Sequence, residues 1–460
     1  MEAIARYFRF AERRTDLVTE ARAGLTTFMV MAYIIFVNPS ILGAGFAKAA
    51  DPHFTTEALA AGTALIAGLM TIAMGLAANY PFALAAGLGI NALVAFTLTA
   101  KGLSPQGAMG VIVLEGVVIT ILVLVGLREA IMNAVPLTLK RSIGVGIGLF
   151  ILFIGFVNGG LIVTPQGGSP IVGLAFPTTG QQLVFLIGLA VTFALYALRI
   201  RAALIISIVL TTIVAMVFNA AQGGQLFPPG VAAMPSSLTL TPRFDTLGQF
   251  DVVQVFSRLG AVTAVLTIFA IMLSDFFDTM GTVTGIAAEA GLAEQDGSVP
   301  GIGRILTVDS IAAAVGGLAG TSSNTTYIES AAGVAEGGRT GFASVVTGVL
   351  FLLAVFLSPI AGIIPAQATA PALVLVGYLM FQLVRDIPVA DVEDGLPALL
   401  TMILMPLTYD ITVGIGAGFI SWVFLKILRG KAGEVHWLMY AVSLAFVVYF
   451  AKDWISGLVK

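Results

Sequence analysis

"GTSSNTTYIESAAG", Gly320 to Gly333, decides how this chain folds, because it breaks a pattern that otherwise runs the length of the protein. It gathers Ser, Thr, Asn, Tyr and one carboxylate between two apolar runs. Thr and Tyr favour extended chain, and glycine weakens helix and strand alike. Extended backbone among lipid-soluble helices is tolerated only where it is buried in protein or lines a cavity. The stretch is therefore expected to start extended, finish as a half-helix and face a cavity.

The surroundings support that reading. Of 460 residues, 58% are hydrophobic and only 10% charged, and the mean hydropathy is +1.02. Soluble domains carry roughly 25% charged residues, so the chain is an integral membrane protein. Its net charge of −3, with no basic stripe, gives nucleic acid nothing to bind. The absence of cysteine excludes disulfides, thiolate metal sites and thiol nucleophiles. With two histidines, His53 and His436, a histidine metal centre or Ser-His pair has no basis. No metal, organic cofactor or catalytic residue is expected.

A span needs about 20 apolar residues, fewer where it is broken or shielded. Segments fall at 22–38, 57–77, 82–98, 107–126, 139–157, 182–198, 202–219, 260–280, 304–318, 323–335, 341–358, 368–384, 395–408 and 410–428. These make an all-α polytopic protein of fourteen spans. A further apolar stretch at 434–451 is left open between crossing the membrane and lying along it. The polar, Gly- and Pro-rich 221–258 reads as the longest external loop. The tail before Gly24 has no apolar core long enough for a signal peptide, and reads as cytoplasmic.

Basic residues orient the spans. With the N-terminus inside, Arg6, Arg9, Arg13, Arg14, Arg22, Arg128, Lys140, Arg141, Arg199, Arg201, Arg304, Arg339, Arg385, Lys426, Arg429 and Lys431 are cytoplasmic. Only Lys48, Lys101, Arg243 and Arg258 fall outside. The count holds only if 395–428 is two spans.

The halves resemble each other: "LTTFMVMAYIIFVN" (Leu25–Asn38) faces "LTIFAIMLSDFFDT" (Leu266–Thr279), with Leu25/Leu266, Phe28/Phe269 and Phe36/Phe277 identical. These are spans 1 and 8, and seven spans followed by seven more form an inverted repeat. Short or glycine-broken segments at matching places mark the binding site of such transporters. "PFALAAGLGINALVAF" in span 3, with Gly87, Gly89 and Asn91, matches the opening stretch in span 10. Two half-helix N-termini would then offer N–H groups near the midplane.

An ionisable acid at the bilayer centre costs about 2.5–3.5 kcal/mol. Close packing of small residues explains the glycines equally well but not Glu329. "LSDFFDTMGTVTG" adds Asp275 and Asp278, whose spacing of three places both on one helical face. Paired and desolvated, such carboxyls can exchange a proton. The competing role for either acid is to cap the turn that follows. Glu115, in span 4, suits packing as well as function, while Asp410 and Arg201 read as structural groups at water-reached span edges. An intramembrane aspartyl protease is disfavoured, because Tyr409-Asp410 lacks its GxGD partner.

"TDLVTEARAGLTTFMVMAYIIFVNP" (Thr15–Pro39), "GLGINA" (Gly87–Ala92), "DFFDTMGT" (Asp275–Thr282), "TTYIESAAGVAEGGRTG" (Thr325–Gly341) and "ILMPLTYDITVGIGAGFISW" (Ile403–Trp422) together resemble AzgA-type purine permeases. These belong to the nucleobase–cation symporter group and the nucleobase-ascorbate transporter fold. The resemblance spans essentially the whole chain. It implies a core domain of spans 1–4 and 8–11 (15–130 and 259–360). Spans 5–7 and 12–14 (136–220 and 365–430) would form a gate domain, with homodimerisation through the gate.

It further implies import of a purine nucleobase across the cytoplasmic membrane, by proton symport and an elevator-like cycle. Glu329, Asp278, Asn91, Thr325, Thr326 and Phe276 would bind substrate, and Asp275, Asp278 and Glu329 would handle the proton. Glu329 could accept two N–H bonds from guanine, and Phe82, Phe276 or Phe277 could stack on the ring. The alternatives are a uracil/xanthine-type carrier, or an anion exchanger of the same fold. "GVGIG" (Gly144–Gly148) and "GIGAG" (Gly414–Gly418) are expected to offer smooth sliding surfaces, or else ordinary packing within the gate. The preferred purine and the coupling ion are not fixed by the sequence.

Overall fold

Glycine and proline set where the apolar segments break, and the helices follow those breaks. The computed structural model describes residues 2–126, 134–165, 172–175, 177–234, 241–294 and 298–458; Arg128 lies outside them. Among these residues, ten helices are long and apolar enough to cross a membrane. They supply spans 1, 2, 4–8, 11, 12 and 14. Spans 9 (Ile302–Leu318) and 13 (Val392–Thr408) are slightly shorter helices. Spans 3 and 10 are composite, each an extended strand followed by a short helix. That completes fourteen segments in two halves of seven, with the composite span third in each half.

Span 1 is broken. Leu17–Met31 and Ile34–Phe46 meet at Ala32 and Tyr33, and Pro39 lies inside the second piece. Asp16 caps the first helix, accepting the Val18 and Thr19 N–H groups at 2.9 Å. Spans 13 and 14 are separate, as the charge count required. Tyr409 turns the chain with a left-handed φ of 54°, and Asp410 Oδ1 accepts the Thr412 N–H at 2.9 Å to start span 14 (Ile411–Leu428).

Small residues let the helices approach closely. Spans 2 (Thr56–Ala78) and 11 (Gly341–Ala354) pack so tightly that a Cβ on Gly348 would lie 2.6 Å from the Gly68 carbonyl. This is the small-residue packing that replaces the hydrophobic drive in lipid. Span 2 also meets span 9, which packs on span 4 (Pro105–Leu124). Spans 12 (Ala366–Phe381) and 13 both pack on span 5 (Leu137–Asn158).

Two features correct the sequence reading, and one adds to it. The 221–258 stretch ends in a helix, Val252–Leu259, that packs on span 4, and Gly248 N–H bonds the Leu318 carbonyl at 2.8 Å. At these points the stretch packs on spans 4 and 9. The glycines of "GVGIG" and "GIGAG" face no sliding surface. Added Cβ atoms on Gly146 and Gly148 would meet Met405 Sδ and Met380 Cβ, and those on Gly414 and Gly416 would meet the Thr401 carbonyl and Phe446. They pack spans 5 and 12–14 and the C-terminal helix. Asp410 is buried in an ion pair with Lys101 rather than washed by water.

The C-terminal helix runs Trp437–Leu458, beyond the expected 451. Phe446 lies against Gly416 and Phe419, Tyr440 bonds the Ala432 carbonyl, and Lys101 sits over the Tyr449 ring. The helix thus lies antiparallel along span 14.

Candidate substrate site

Two extended pieces meet inside the protein. β2 (Ile162–Val163) and β3 (Gly173–Leu174) pair after span 5, while β1 (Leu84–Ala86) pairs antiparallel with β4 (Asn324–Thr326), in the register Leu84↔Thr326, Ala85↔Thr325 and Ala86↔Asn324. The Asn-Thr-Thr of β4 suits extended chain. The Leu-Ala-Ala of β1 suits helix, so its conformation is imposed by its partner. Gly87 N–H to the Ser323 carbonyl and Tyr327 N–H to the Ala83 carbonyl, both 2.9 Å, extend the pairing. Ser330 Oγ and Thr71 Oγ1 accept the Ala83 and Leu84 N–H groups at 2.9 Å. Backbone polarity that a membrane interior would penalise is thereby met.

After the strands the chain turns helical, at Leu88–Ala92 in span 3 and Ser330–Ala335 in span 10. A Cβ on Gly87 would lie 3.1 Å from Thr325 Cγ2, and one on Gly89 would collide with Ile147 of span 5. The glycines let span 3 lie close to both neighbours.

Glu329 sits at the start of the span 10 helix. It is half-buried, and its Oε1 accepts the Tyr33 hydroxyl at 2.6 Å. Asp278, on span 8 (Ala261–Glu289), is exposed to open space although Asp309, Glu329, Tyr33 and Tyr327 are its electrostatic neighbours. Asp275, one turn earlier, is fully buried. The two aspartates of span 8 therefore have different surroundings. Asn91 is also fully buried, with its Nδ2 3.5 Å from the Ala86 carbonyl and its Oδ1 without a hydrogen-bond partner among the described residues. A buried unpaired acceptor costs roughly 1–3 kcal/mol.

Thr325 and Thr326 are otherwise engaged. Thr326 gives both its N–H (3.0 Å) and its hydroxyl (2.9 Å) to Asp309 Oδ1. Thr279 donates its hydroxyl to Asp309 Oδ2 and lies 2.8 Å from Thr325 Oγ1. Asp309 thus ties span 9 to β4 and to the turn of span 8 that carries Asp278. Phe276 has no accessible surface, and Phe82 stacks on Tyr80 at 5.2 Å within the core. Phe277 is partly buried beneath Lys140 Nζ, 5.4 Å from its ring centre.

Sequence reading missed Asp309, Thr279 and Tyr33. Asp309 was discoverable, as an acid inside the apolar segment 304–318. Tyr33 carried no signal, because a tyrosine in an apolar helix is ordinary until its partner is known.

Residues 19–417 match the model of a permease family. A putative permease of Methanocaldococcus jannaschii is 39% identical over 99% of this chain and 100% of its own. The guanine/hypoxanthine permease PbuG of Bacillus subtilis is 39% identical, over 96% of this chain and 98% of its own. The adenine permease AdeP of Escherichia coli is 37% identical, over 97% and 95%. Among solved structures, the transmembrane domain of the cyanobacterial bicarbonate transporter BicA superposes with a TM-score of 0.63. It covers 87% of this chain and 96% of that one at 12% identity, and shares the fold alone. The murine anion transporter Slc26a9, in an inward-facing state, gives 0.61 over 90% and 69%, also at 12%.

Proposed function

The chain belongs to the permease family, and from that premise we propose that it is a secondary active carrier of purine nucleobases rather than an enzyme. The observation that carries this reading is the buried β1–β4 pair, with half-buried Glu329 following β4 and exposed Asp278 on the neighbouring turn of span 8. A purine is flat, neutral and edged with donors and acceptors. Glu329 accepts a ring N–H, and the Asn91 amide, whose oxygen lacks a partner among the described residues, takes a second polar edge. Two acids beside the strand pair disfavour an anionic substrate, although the fold neighbours include anion transporters.

Spans 1–4 and 8–11 act as the moving core and spans 5–7 and 12–14 as the gate. Packing supports the division, since contacts between the groups are few and local, such as Ser40 to Thr369 at 2.7 Å. The acids make H⁺ the coupling ion, and a membrane potential adds about 2.3 kcal/mol per charge per 100 mV. The N-terminus lies in the cytoplasm, by the basic residues of the loops, and two copies associate through the gate. The C-terminal helix crosses beside span 14 and leaves its end outside.

Uptake of radiolabelled hypoxanthine, guanine and adenine into cells, with and without a protonophore, tests this. Accumulation abolished by the protonophore is expected. No accumulation of any purine defeats the reading, and accumulation that needs Na⁺ instead defeats only the coupling. Glu329→Gln should abolish uptake while folded protein remains in the membrane.

A further inference from the structure

Span 3 leads away from the strand pair in steps. Asn91 lies near the strands, Phe96 and Thr97 follow in the π-helical turns Leu93–Leu98, and Lys101 comes just after its end. π-Helical turns are rare and recur at functional sites. The elbow between spans 13 and 14 meets each of the later steps. The Tyr409 ring packs edge-on against Phe96, with centres 6.2 Å apart, and against Phe150 and Phe153 of span 5, both at 5.5 Å. The Thr97 hydroxyl donates to the Tyr409 carbonyl, and Lys101 Nζ meets Asp410 Oδ2 at 2.8 Å.

Span 8 differs between its two ends. On the face that carries Asp278, Thr267, Ile271 and Ser274 toward its start are buried, while Gly281, Gly285 and Ala288 toward its finish are exposed. No described atom would lie within 4 Å of a Cβ on Gly281 or Gly285. An acid within a span turns to protein or water rather than lipid, so this face borders a watery lane. At that end Arg201, 69% exposed, meets Glu336 in a surface pair of little strength.

We infer that the Tyr409 ring is the closed outer gate of this carrier, and that the lane below Asp278 is its open route to the cytoplasm. This rests on the core, gate and orientation proposed above and deepens them. Phe150 and Phe153 belong to the gate domain and hold the ring. Phe96, Thr97 and Lys101 belong to the core and must leave the elbow when the core moves to open outward. Their contacts therefore stabilise the inward-open state against the outward-open one, and an edge-on ring pair adds to the area it buries. Removing the ring shifts that balance outward without touching the acids.

The chain has no cysteine, so one cysteine reports each side. Ser274→Cys is labelled with a membrane-impermeant maleimide in intact cells, and Gly281→Cys in inside-out vesicles. Each is measured with Tyr409 intact, with Tyr409→Ala and with Tyr409→Phe. Tyr409→Ala should speed labelling of Ser274→Cys about tenfold and should not speed that of Gly281→Cys. Tyr409→Phe keeps the ring and should leave both rates as they are. An unchanged Ser274→Cys rate with Tyr409→Ala, in a protein that accumulates purine, overturns this inference alone. The rates do not depend on the cargo, so the shift without purine uptake keeps the gate and defeats the purine reading; neither shift nor uptake defeats both. Faster labelling at both positions marks loss of structure, and Thr97→Val, which removes only the hydroxyl bonded to Tyr409, then decides. A rise of about threefold at Ser274→Cys supports the gate, and an unchanged rate overturns it.

Discussion

Asp309 Oδ1 accepts both the N–H and the hydroxyl of Thr326, while its other oxygen accepts the Thr279 hydroxyl at 2.8 Å. One carboxylate on span 9 thus fixes β4 and the Asp278-bearing turn of span 8 with respect to each other. Asp309→Asn replaces an acceptor by an amide whose NH₂ faces donors. Uptake should fall at least tenfold, the loss of a charged hydrogen bond worth about 1.5–3 kcal/mol. Initial uptake rates, normalised to folded protein in the membrane, check this.

Gly89 touches Ile147 across the boundary between spans 3 and 5, where an added methyl would collide with Ile147 Cγ2. Gly89→Ala should reduce transport more than it reduces the amount of folded protein. Combining it with Ile147→Ala should restore part of the rate, because the second change makes room for the first. A double variant no better than Gly89→Ala would show that the loss has another cause.

Lys101 Nζ meets Asp410 Oδ2 at 2.8 Å, with their side chains 19% and 11% exposed. The pair joins the end of span 3 to the elbow between spans 13 and 14. Exposed pairs contribute about 0.2–1 kcal/mol and breaking buried ones costs about 3–5, so Lys101→Met should cost about 2. Asp410→Ala should cost about 1 kcal/mol more, because it also removes the cap on Thr412. Thermal unfolding in detergent orders the two.

Asp16, outside the membrane, is held below the usual carboxylate range by the Thr19 N–H first and by the Thr19 hydroxyl next. A carboxyl lowered on folding stabilises above its unfolded value, about 3.9, and loses that contribution as pH falls through the lower folded value. Asp16→Ala should therefore lower the melting temperature at pH 7. The gap to wild type should close as pH falls below about 4. A gap of constant size would mean that the cap does not act through the charge.

The chain has no cysteine, so single cysteines report topology directly. With the C-terminal helix crossing beside span 14, a cysteine appended after Lys460 should react with a membrane-impermeant maleimide in intact cells. Gly433→Cys, before that helix, should react only after permeabilisation. Labelling of both from the same side would place the helix along the surface.

Much of the fold was legible because lipid imposes a simple rule. Apolar runs of sufficient length become helices, and basic residues orient them, as spans 2, 4–8 and 14 illustrate. Glu329, Asp278 and Asn91 stood out in the sequence for a related reason: a polar group in such a run is costly. The "GVGIG" and "GIGAG" glycines were misread because glycine serves sliding and tight packing alike, and only their neighbours, Met380, Met405 and Thr401, distinguish the two.

The sequence by itself determined that fourteen segments cross, that the third of each half is broken, and that Asp275, Asp278 and Glu329 fall in apolar segments, though Asp309 was passed over. Tertiary structure alone decided what those groups face. Leu-Ala-Ala becomes a strand because Asn-Thr-Thr lies beside it. Thr325 and Thr326 turn their hydroxyls to Thr279 and Asp309, and Tyr33 reaches Glu329 from the other half. A hydrogen bond acts over about 3 Å, and no pattern along one strand of chain encodes which distant atoms will come that close.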